Sequence, residues 1–481
     1  MSFDPIIKLI LILLLIFTPF AFGSVEIWAF SLMELGILLI IVLYVLQESF
    51  FRPHSPIDYN STFRLPRSAL VLCSFFLALI LIQMIPLPAT WVKVISPQTY
   101  NLRTRLLSDV MSAAFSPLPI AHPLFPISFF PFATKIEFFK WATLIGLFFF
   151  LLRWKLLTNG QRARQHLILV IMLVGIMESF YGIFEFFSGH RHILYLEATD
   201  LMSSVMGTFS NRNYFAGYLL MVIPLSVGFL LAREAGQTVH FKGWRHRLAS
   251  LDGKTILLGF GVILMILGLL FSASRMGIIS LLLSFTLISF FFRGRRLGQK
   301  FSRTTVFIFG LALLWGAWIG LDAVISRFFI TSEDFKERWS FWVDTFQILK
   351  DFPLFGSGLG TFAQIFPMYR SLHIRGLVTH AENDFLQLAS ETGLIGIGLL
   401  FFLFLFLFFK AFAGIRSLSF VAPHRNMAIG GLVGILALMF HSLMERNIQV
   451  PANALLFTFL WAIVLRITHQ PPGQFKLPSD L

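Results

Sequence analysis

Long uninterrupted apolar runs dominate the chain, and neither strict alternation nor a narrow helical stripe describes them. Residues 7–22, 256–271 and 394–409 each approach the roughly 20 residues that an α-helix needs to cross hydrocarbon. A transmembrane barrel would instead show alternating stretches of about 10 residues. Lipid offers the backbone no hydrogen-bond partner, so the spans are predicted to be helices. Polar, proline and glycine breaks divide the sequence into about 12 spans, near 6–23, 28–46, 69–87, 134–152, 166–187, 213–232, 255–272, 277–292, 304–322, 392–409, 427–444 and 454–467. The expected fold is an all-α polytopic membrane protein, with residues 1–481 forming one integral membrane domain.

Composition agrees with the pattern. The chain is 57% hydrophobic and 13% charged, whereas a soluble globular protein carries about 25% charged residues. The formal net charge of +14 would suit a nucleic-acid partner, but in a membrane protein excess Lys and Arg first records topology. The connections on one side hold 23 of the 38 basic residues within about 110 residues, against about 155 on the other side. That side, with both termini, is expected to be cytoplasmic in a bacterial inner membrane. No nucleic-acid partner is expected, and membrane lipids are.

Two long connections fall on the opposite face, 88–133 and 323–391. Connections longer than about 15 residues usually carry function or are disordered. Trp91, Trp339 and Trp342, with many apolar neighbours, point to ordered segments lying on the membrane. Cys73 is the single cysteine and falls in a predicted span, which excludes a disulfide framework and a cysteine-based metal site. The first apolar run is expected to stay uncleaved, because a second span follows at once and Lys8 is its single basic flank.

Charge is costly in a membrane unless paired or functional, so polar residues on the outer face are the candidates for chemistry. Arg191, Arg212, Arg275, Arg338, Arg370 and Arg375 lie there, alongside His373, His380, Glu382, Asn383 and Asp384. Arg275 follows Ser274 in a tight connection between two spans; its guanidinium suits phosphate oxygens, or else it snorkels to the interface. Arg338 precedes Trp339 and a G-x-G-x-G turn at 356–360 that lacks the βαβ context of a dinucleotide fingerprint; its bland alternative is an ion pair with Glu333, Asp334 or Glu337. His380, at the entry to a span, is mostly neutral at pH 7 and suits a general base. Glu382 can orient it or take the role itself, while Asn383 or Asp384 can cap the helix. Glu178 and Glu185 share a helical face and read as structural or paired with a buried cation.

Five segments occur in order: the 207–217 stretch with Arg212, the Ser274-Arg275 hairpin, Arg338-Trp339 with Pro353 and the glycine turn, the stretch from His380 to Gly396, and Pro451-Ala452-Asn453-Ala454. Together they resemble the O-antigen ligase and O-antigen polymerase family of bacterial membrane glycosyltransferases. The resemblance spans about 200–460 and rests on the order and spacing of its motifs. It implies a membrane-embedded C-type glycosyltransferase fold with a large periplasmic loop, 323–391. It further implies inverting transfer of a glycan from undecaprenyl diphosphate to an acceptor sugar hydroxyl, without nucleotide sugar, cofactor or metal. On that reading Arg275 and Arg338 bind the donor diphosphate, Arg212 is a further phosphate contact, Ser274 and Asn383 support the site, and a loop histidine activates the acceptor. The chain departs from the ligase pattern at one point. Counting back from Gly393 puts Glu382, not His380, at the histidine position, while Asn383 and Gly396 fit. His380 is the expected base, acting from two residues upstream, with Glu382 as its alternative.

The function expected from these readings is ligation of a glycan to a lipopolysaccharide core. Polymerisation by the same site is the first alternative and a polytopic transporter the second. Against the transporter, the sequence shows no duplicated half, and the polar cluster sits at the outer rim rather than at the midplane.

Overall fold

A chain this apolar satisfies its backbone within helices. The computed structural model describes residues 2–51, 66–113, 124–189, 192–194, 196–197, 204–235, 252–292, 310, 314, 332–371, 377–419 and 422–469. In chain order the helices are α1 (Asp4–Phe20), α2 (Ile27–Leu46), α3 (Arg67–Met84), α4 (Ala89–Ile95), α5 (Pro97–Ala113), α6 (Pro131–Arg153), α7 (Lys155–Asn159) and α8 (Gln161–Ser188). They continue as α9 (Arg212–Ala235), α10 (Gly253–Phe271), α11 (Arg275–Phe291), α12 (Ser332–Asp351), α13 (Phe362–Ile365), α14 (Asp384–Ser417), α15 (Pro423–His441) and α16 (Pro451–Thr468). Among the described residues, β-structure is confined to two antiparallel pairs of two-residue strands, Leu87–Pro88 with Leu124–Phe125 and His192–Ile193 with Leu196–Glu197. The fold is therefore the expected all-α polytopic membrane protein.

Among the described residues, seven helices are long and apolar enough to cross a membrane: α2, α3, α8, α9, α10, α14 and α16. The shorter α11 is also apolar. Helices α1, α6 and α15 lie where spans are expected but read less cleanly. The first has 17 residues, α6 carries Lys135, Glu137 and Lys140 near its start, and α15 opens on His424, Arg425 and Asn426. The span expected near 304–322 lies outside the described residues except for 310 and 314, as do Arg191, His373, Arg375 and parts of both long loops.

Helices α9, α15 and α16 form the buried centre, and residues 213–229 of α9 are all buried. Close backbone approach makes this possible, as small residues do between membrane helices. A Cβ at Gly430 of α15 would strike the Pro224 carbonyl of α9. On the periphery, α2 exposes Leu32, Leu35, Leu39 and Val42, as a hydrocarbon-facing helix should. Glu178 of α8 is wholly buried and, among the described residues, pairs with no cation. Its carboxylate accepts from the Thr208 amide at 2.8 Å and the Thr208 hydroxyl at 2.6 Å.

The described parts of the two long loops fold into a cap with its own small core, in which Phe341, Ile348, Phe352, Phe362, Phe366 and Ala381 pack together against Leu102 and Phe129. The other face of α12 exposes Phe335, Trp339, Val343 and Phe346. That stripe follows helical periodicity and suits a helix lying along an interface. The glycine turn wraps α14 where α14 kinks. Gly360 and Phe362 donate to the Glu391 carboxylate at 2.9 and 3.2 Å, and Gly358 donates to the Glu391 carbonyl at 3.0 Å. Gln83 of α3 braces the same place, donating to the carbonyls of Phe355 and Glu391 at 2.6 and 2.9 Å. The kink residue, Gly393, has φ +66° and ψ −174°. The turn's amides are thus committed mostly to α14, with that of Leu359 donating to Gln83 of α3, which places the cap over one end of the bundle.

Candidate functional site

The polar residues at that end converge on a short segment, 442–450, between α15 and α16. Asp384, the first residue of α14, pins it. One carboxylate oxygen accepts from the backbone amides of Asn447 and Ile448, both at 2.7 Å, while the Asp384 amide donates to the Ser442 carbonyl at 3.0 Å. Asn383 caps α14 by accepting from the Leu386 amide at 3.0 Å, the structural role open to it from the sequence. Its neighbour Glu382 has φ +51°, a left-handed backbone that costs energy for a non-glycine residue and is found preferentially where a side chain must be aimed.

From this pinned segment, side chains reach each candidate in turn. Glu445 is buried and accepts from Arg338 Nη1 at 2.6 Å, and the same nitrogen donates to the Met444 carbonyl at 2.8 Å. Arg338 is therefore ion-paired with Glu445, 107 residues away in sequence. Glu382 lies near enough for its charge to act on Glu445. Burial pushes the Glu445 carboxyl above its usual range; Arg338 pulls it down and Glu382 pushes it up again. The next residue, Arg446, contacts His380 Nε2 and lies over the Tyr214 ring, 6.0 Å from its centroid. His380 Nδ1 is buried and has no hydrogen-bond partner among the described residues. Burial, reinforced by the positive charges of Arg446 and Lys140, holds the His380 imidazole well below its ordinary range.

On the other flank, Ser274 Oγ stands 3.3 Å from His441 Nε2, and Asn447 Nδ2 stands 3.1 Å from His441 Nδ1. If Asn447 donates to Nδ1, His441 carries its proton on Nε2 and offers it to Ser274. Asn453 Nδ2 donates to the Tyr214 carbonyl at 3.1 Å and to Asn447 Oδ1 at 3.3 Å, so α9, α15 and α16 meet here. Arg275 is the first residue of α11, directly after Ser274, and is half-buried. Arg212 opens α9 two residues before Tyr214 and is also half-buried. Of these guanidiniums, that of Arg338 is the one seen paired with a carboxylate, Glu445. An apolar cavity lies alongside, lined by Lys140, Trp141, Phe385, Leu388, Phe404 and Trp461 among others. Among the described residues no group of three or more His, Cys, Asp or Glu side chains is placed to hold a metal ion.

Residues 260–403 match the family model of O-antigen ligase. The chain carries an O-antigen ligase family domain. No curated protein matches the sequence. The O-antigen ligase match bears out the resemblance carried by the motifs and places the chain with membrane glycosyltransferase-like enzymes of ligase or polymerase type. Its matched stretch contains Ser274, Arg275, Arg338, His380, Glu382 and Asn383, and it ends before His441, Glu445, Arg446, Asn447 and Asn453. Those five tie the matched residues to one another, and sequence reasoning singled out only Asn453, as part of a motif. The signal for Glu445 and Arg446 was present: two charges in a short outer connection between spans.

Proposed function

We propose that this O-antigen ligase family chain transfers a glycan from undecaprenyl diphosphate to a sugar hydroxyl of a lipopolysaccharide core, inverting the anomeric centre, at the periplasmic face of the bacterial inner membrane. The observation that carries this reading is the gathering of Arg338 with Glu445 and Glu382, beside Ser274 and Arg275, at one end of the bundle and next to an apolar cavity. A diphosphate leaving group develops negative charge as its bond to the anomeric carbon breaks. Preorganised guanidiniums stabilise that charge where it forms. Arg338 and Arg275 take that role, with Arg212 as a further contact, and the apolar cavity suits a lipid carrier.

The acceptor hydroxyl must lose its proton as it attacks. His380 and Glu382 are the two candidates, and the geometry favours Glu382. Protonation of His380 is opposed by burial and by two neighbouring cations, and its Nε2 is already engaged by Arg446. His380 then holds Arg446 in place over Tyr214, while Glu382 receives the proton.

Purified protein given lipid-linked glycan and a lipopolysaccharide-core acceptor, with products read by mass spectrometry, tests the assignment. Arg275→Ala and Arg338→Ala should each lower turnover by about 100-fold or more, the scale of losing a transition-state charge contact. Retained turnover in either variant removes its diphosphate role. Glu382→Gln should fall further than His380→Gln, and the reverse order returns the base to His380. Products that are extended repeats on the donor lipid, with the core untouched, would assign polymerisation instead.

A further inference from the structure

The hydrogen-bond chain behind Ser274 has a direction that follows atom by atom. It starts at the Tyr214 carbonyl, which can only accept, so the Asn453 atom 3.1 Å from it is the amide nitrogen. The same nitrogen stands 3.3 Å from Asn447, which must therefore present its oxygen. That orientation turns the Asn447 nitrogen to His441 Nδ1, at 3.1 Å. Nδ1 accepts, so the imidazole is neutral and carries its proton on Nε2. Nε2 donates in turn to Ser274 Oγ at 3.3 Å. His441, Asn447 and Asn453 are fully buried, and Ser274 is 2% exposed. Gly217 of α9 leaves the space this chain needs, because a Cβ there would run into Asn447 Oδ1.

Ser274 thus receives a hydrogen bond and still holds its own hydroxyl hydrogen. It precedes α11 yet makes no cap bond to that helix, and among the described residues His441 is the one hydrogen-bond partner of its oxygen. Arg275 beside it offers donors only. A buried donor left unspent is costly to keep. Ala273, on its other side, adds a second cost at the same hairpin with φ +52°, a left-handed backbone of the kind that gathers at ligand clamps. The missing acceptor must come from outside, and next to a guanidinium it is best supplied by an anionic oxygen. Arg338 is anchored to the same turn: the Met444 amide donates to the His441 carbonyl at 3.0 Å, and the Met444 carbonyl accepts from Arg338 Nη1 at 2.8 Å.

We propose that Ser274 gives its hydroxyl hydrogen to the donor diphosphate, and that His441, its tautomer fixed by Asn447 and Asn453, is the positioning residue that leaves that hydrogen free for the ligand. The inference rests on the proposed glycosyl transfer. It adds to Arg275 and Arg338 a neutral donor whose direction is set before the ligand arrives.

Binding of undecaprenyl diphosphate to the full-length protein in detergent, with undecaprenol as the phosphate-free control, tests this. Ser274→Ala should weaken diphosphate binding by about tenfold or more, the scale of a hydrogen bond to a charged group, and leave undecaprenol binding unchanged. His441→Phe keeps a ring without the N–H and should also weaken diphosphate binding, whereas His441→Gln, which carries an N–H towards Ser274, should recover most of that loss. Because His441 acts through Ser274, adding His441→Phe to Ser274→Ala should cost nothing further. The tautomer is read without ligand: in the nitrogen NMR spectrum of histidine-labelled protein, the His441 signals, identified by their absence in His441→Gln, should show a protonated Nε2 and an unprotonated Nδ1. Wild-type diphosphate affinity in Ser274→Ala, an equal loss for undecaprenol, additive losses in the double variant, or a proton on Nδ1 each overturns the inference. Should His441→Phe fail to fold, Ser274→Ala and the spectrum still decide. A wild type that binds the diphosphate with these differences yet transfers no glycan would sink the proposed function and leave the role of Ser274 standing.

Discussion

Asp384 offers the sharpest test of how the fold builds the site, because one carboxylate oxygen holds the segment that carries Glu445 and Arg446. Its two amide contacts are both 2.7 Å, the length of charge-assisted bonds, and Asn447 is fully buried. A hydrogen bond to a charged group contributes about 1.5–3 kcal/mol net. Asp384→Asn keeps an acceptor oxygen but loses the charge, so we expect a local destabilisation of about 1.5–3 kcal/mol. Asp384→Ala leaves both amides unsatisfied, at about 1–3 kcal/mol each. Since about 1.4 kcal/mol is a factor of ten, opening of 442–450 should rise by about 10- to 100-fold in the asparagine variant and more in the alanine variant. Hydrogen exchange measured by mass spectrometry on the 445–450 peptide reads that opening directly, with peptides from the centre of α9 as the internal control. Glycan transfer should fall in step, because the Arg338 and His380 partners sit on the released segment. Exchange at 445–450 that matches the wild type in Asp384→Ala would refute the view that this carboxylate pins the loop.

Other expectations come from the supporting structure. Gly393→Ala forces a side chain into a backbone region that is essentially reserved for glycine, at about 1–3 kcal/mol, and sets its Cβ against the Leu354 carbonyl; a lowered melting temperature in detergent is expected, and an unchanged one counts against the kink at α14. Glu178→Ala removes both Thr208 bonds and should cost about 2–4 kcal/mol, again read by melting, with Glu178→Gln losing less because it keeps an acceptor. His380 gives a pH test. Burial and the charges of Arg446 and Lys140 hold its folded form below the ordinary 6.5, so the unfolded chain takes the proton first and stability falls as pH drops below about 6.5. His380→Asn should flatten that part of the melting-versus-pH curve between about pH 7 and pH 5, and an unchanged slope would mean that His380 is not buried in its neutral form.

The sequence pattern was a good guide to the membrane helices because continuous hydrophobicity is a local property. Runs such as 256–271 announce a helix whatever surrounds them. It was a poorer guide where charge enters a span, since the three charges near the start of α6 and the polar opening of α15 blur elements whose burial rests on tertiary partners. The G-x-G-x-G segment was correctly separated from a nucleotide fingerprint, yet nothing local could say that its amides serve Glu391, 31 residues beyond Gly360. Asn383 announced its cap by residue type alone, whereas Arg338 did not announce its partner. Nearby acids in sequence suggested a local ion pair, and the structure shows one with the distant Glu445.

The adjacent Glu445 and Arg446 show why half of the site was harder to read. Neighbouring opposite charges look like a self-neutralising pair at an interface, which is a reason to pass over them. In an irregular segment, however, successive side chains diverge, and here they leave in different directions: Glu445 to Arg338 and Glu382, Arg446 to His380 and Tyr214. Each charge therefore closes a contact with a different part of the cap, one with α12 and one with the loop before α14. The result is a site in which Arg338 is held by the Glu445 carboxylate and Arg446 by His380 rather than by solvent, which on the proposed function leaves Arg338 in position for an anionic donor. Such preorganisation places the cost of desolvating the guanidiniums in folding and not in catalysis. It also explains why the residues that matter lie on three separated segments of an otherwise apolar chain: a charge can be kept at the end of a membrane bundle only where another segment brings its partner.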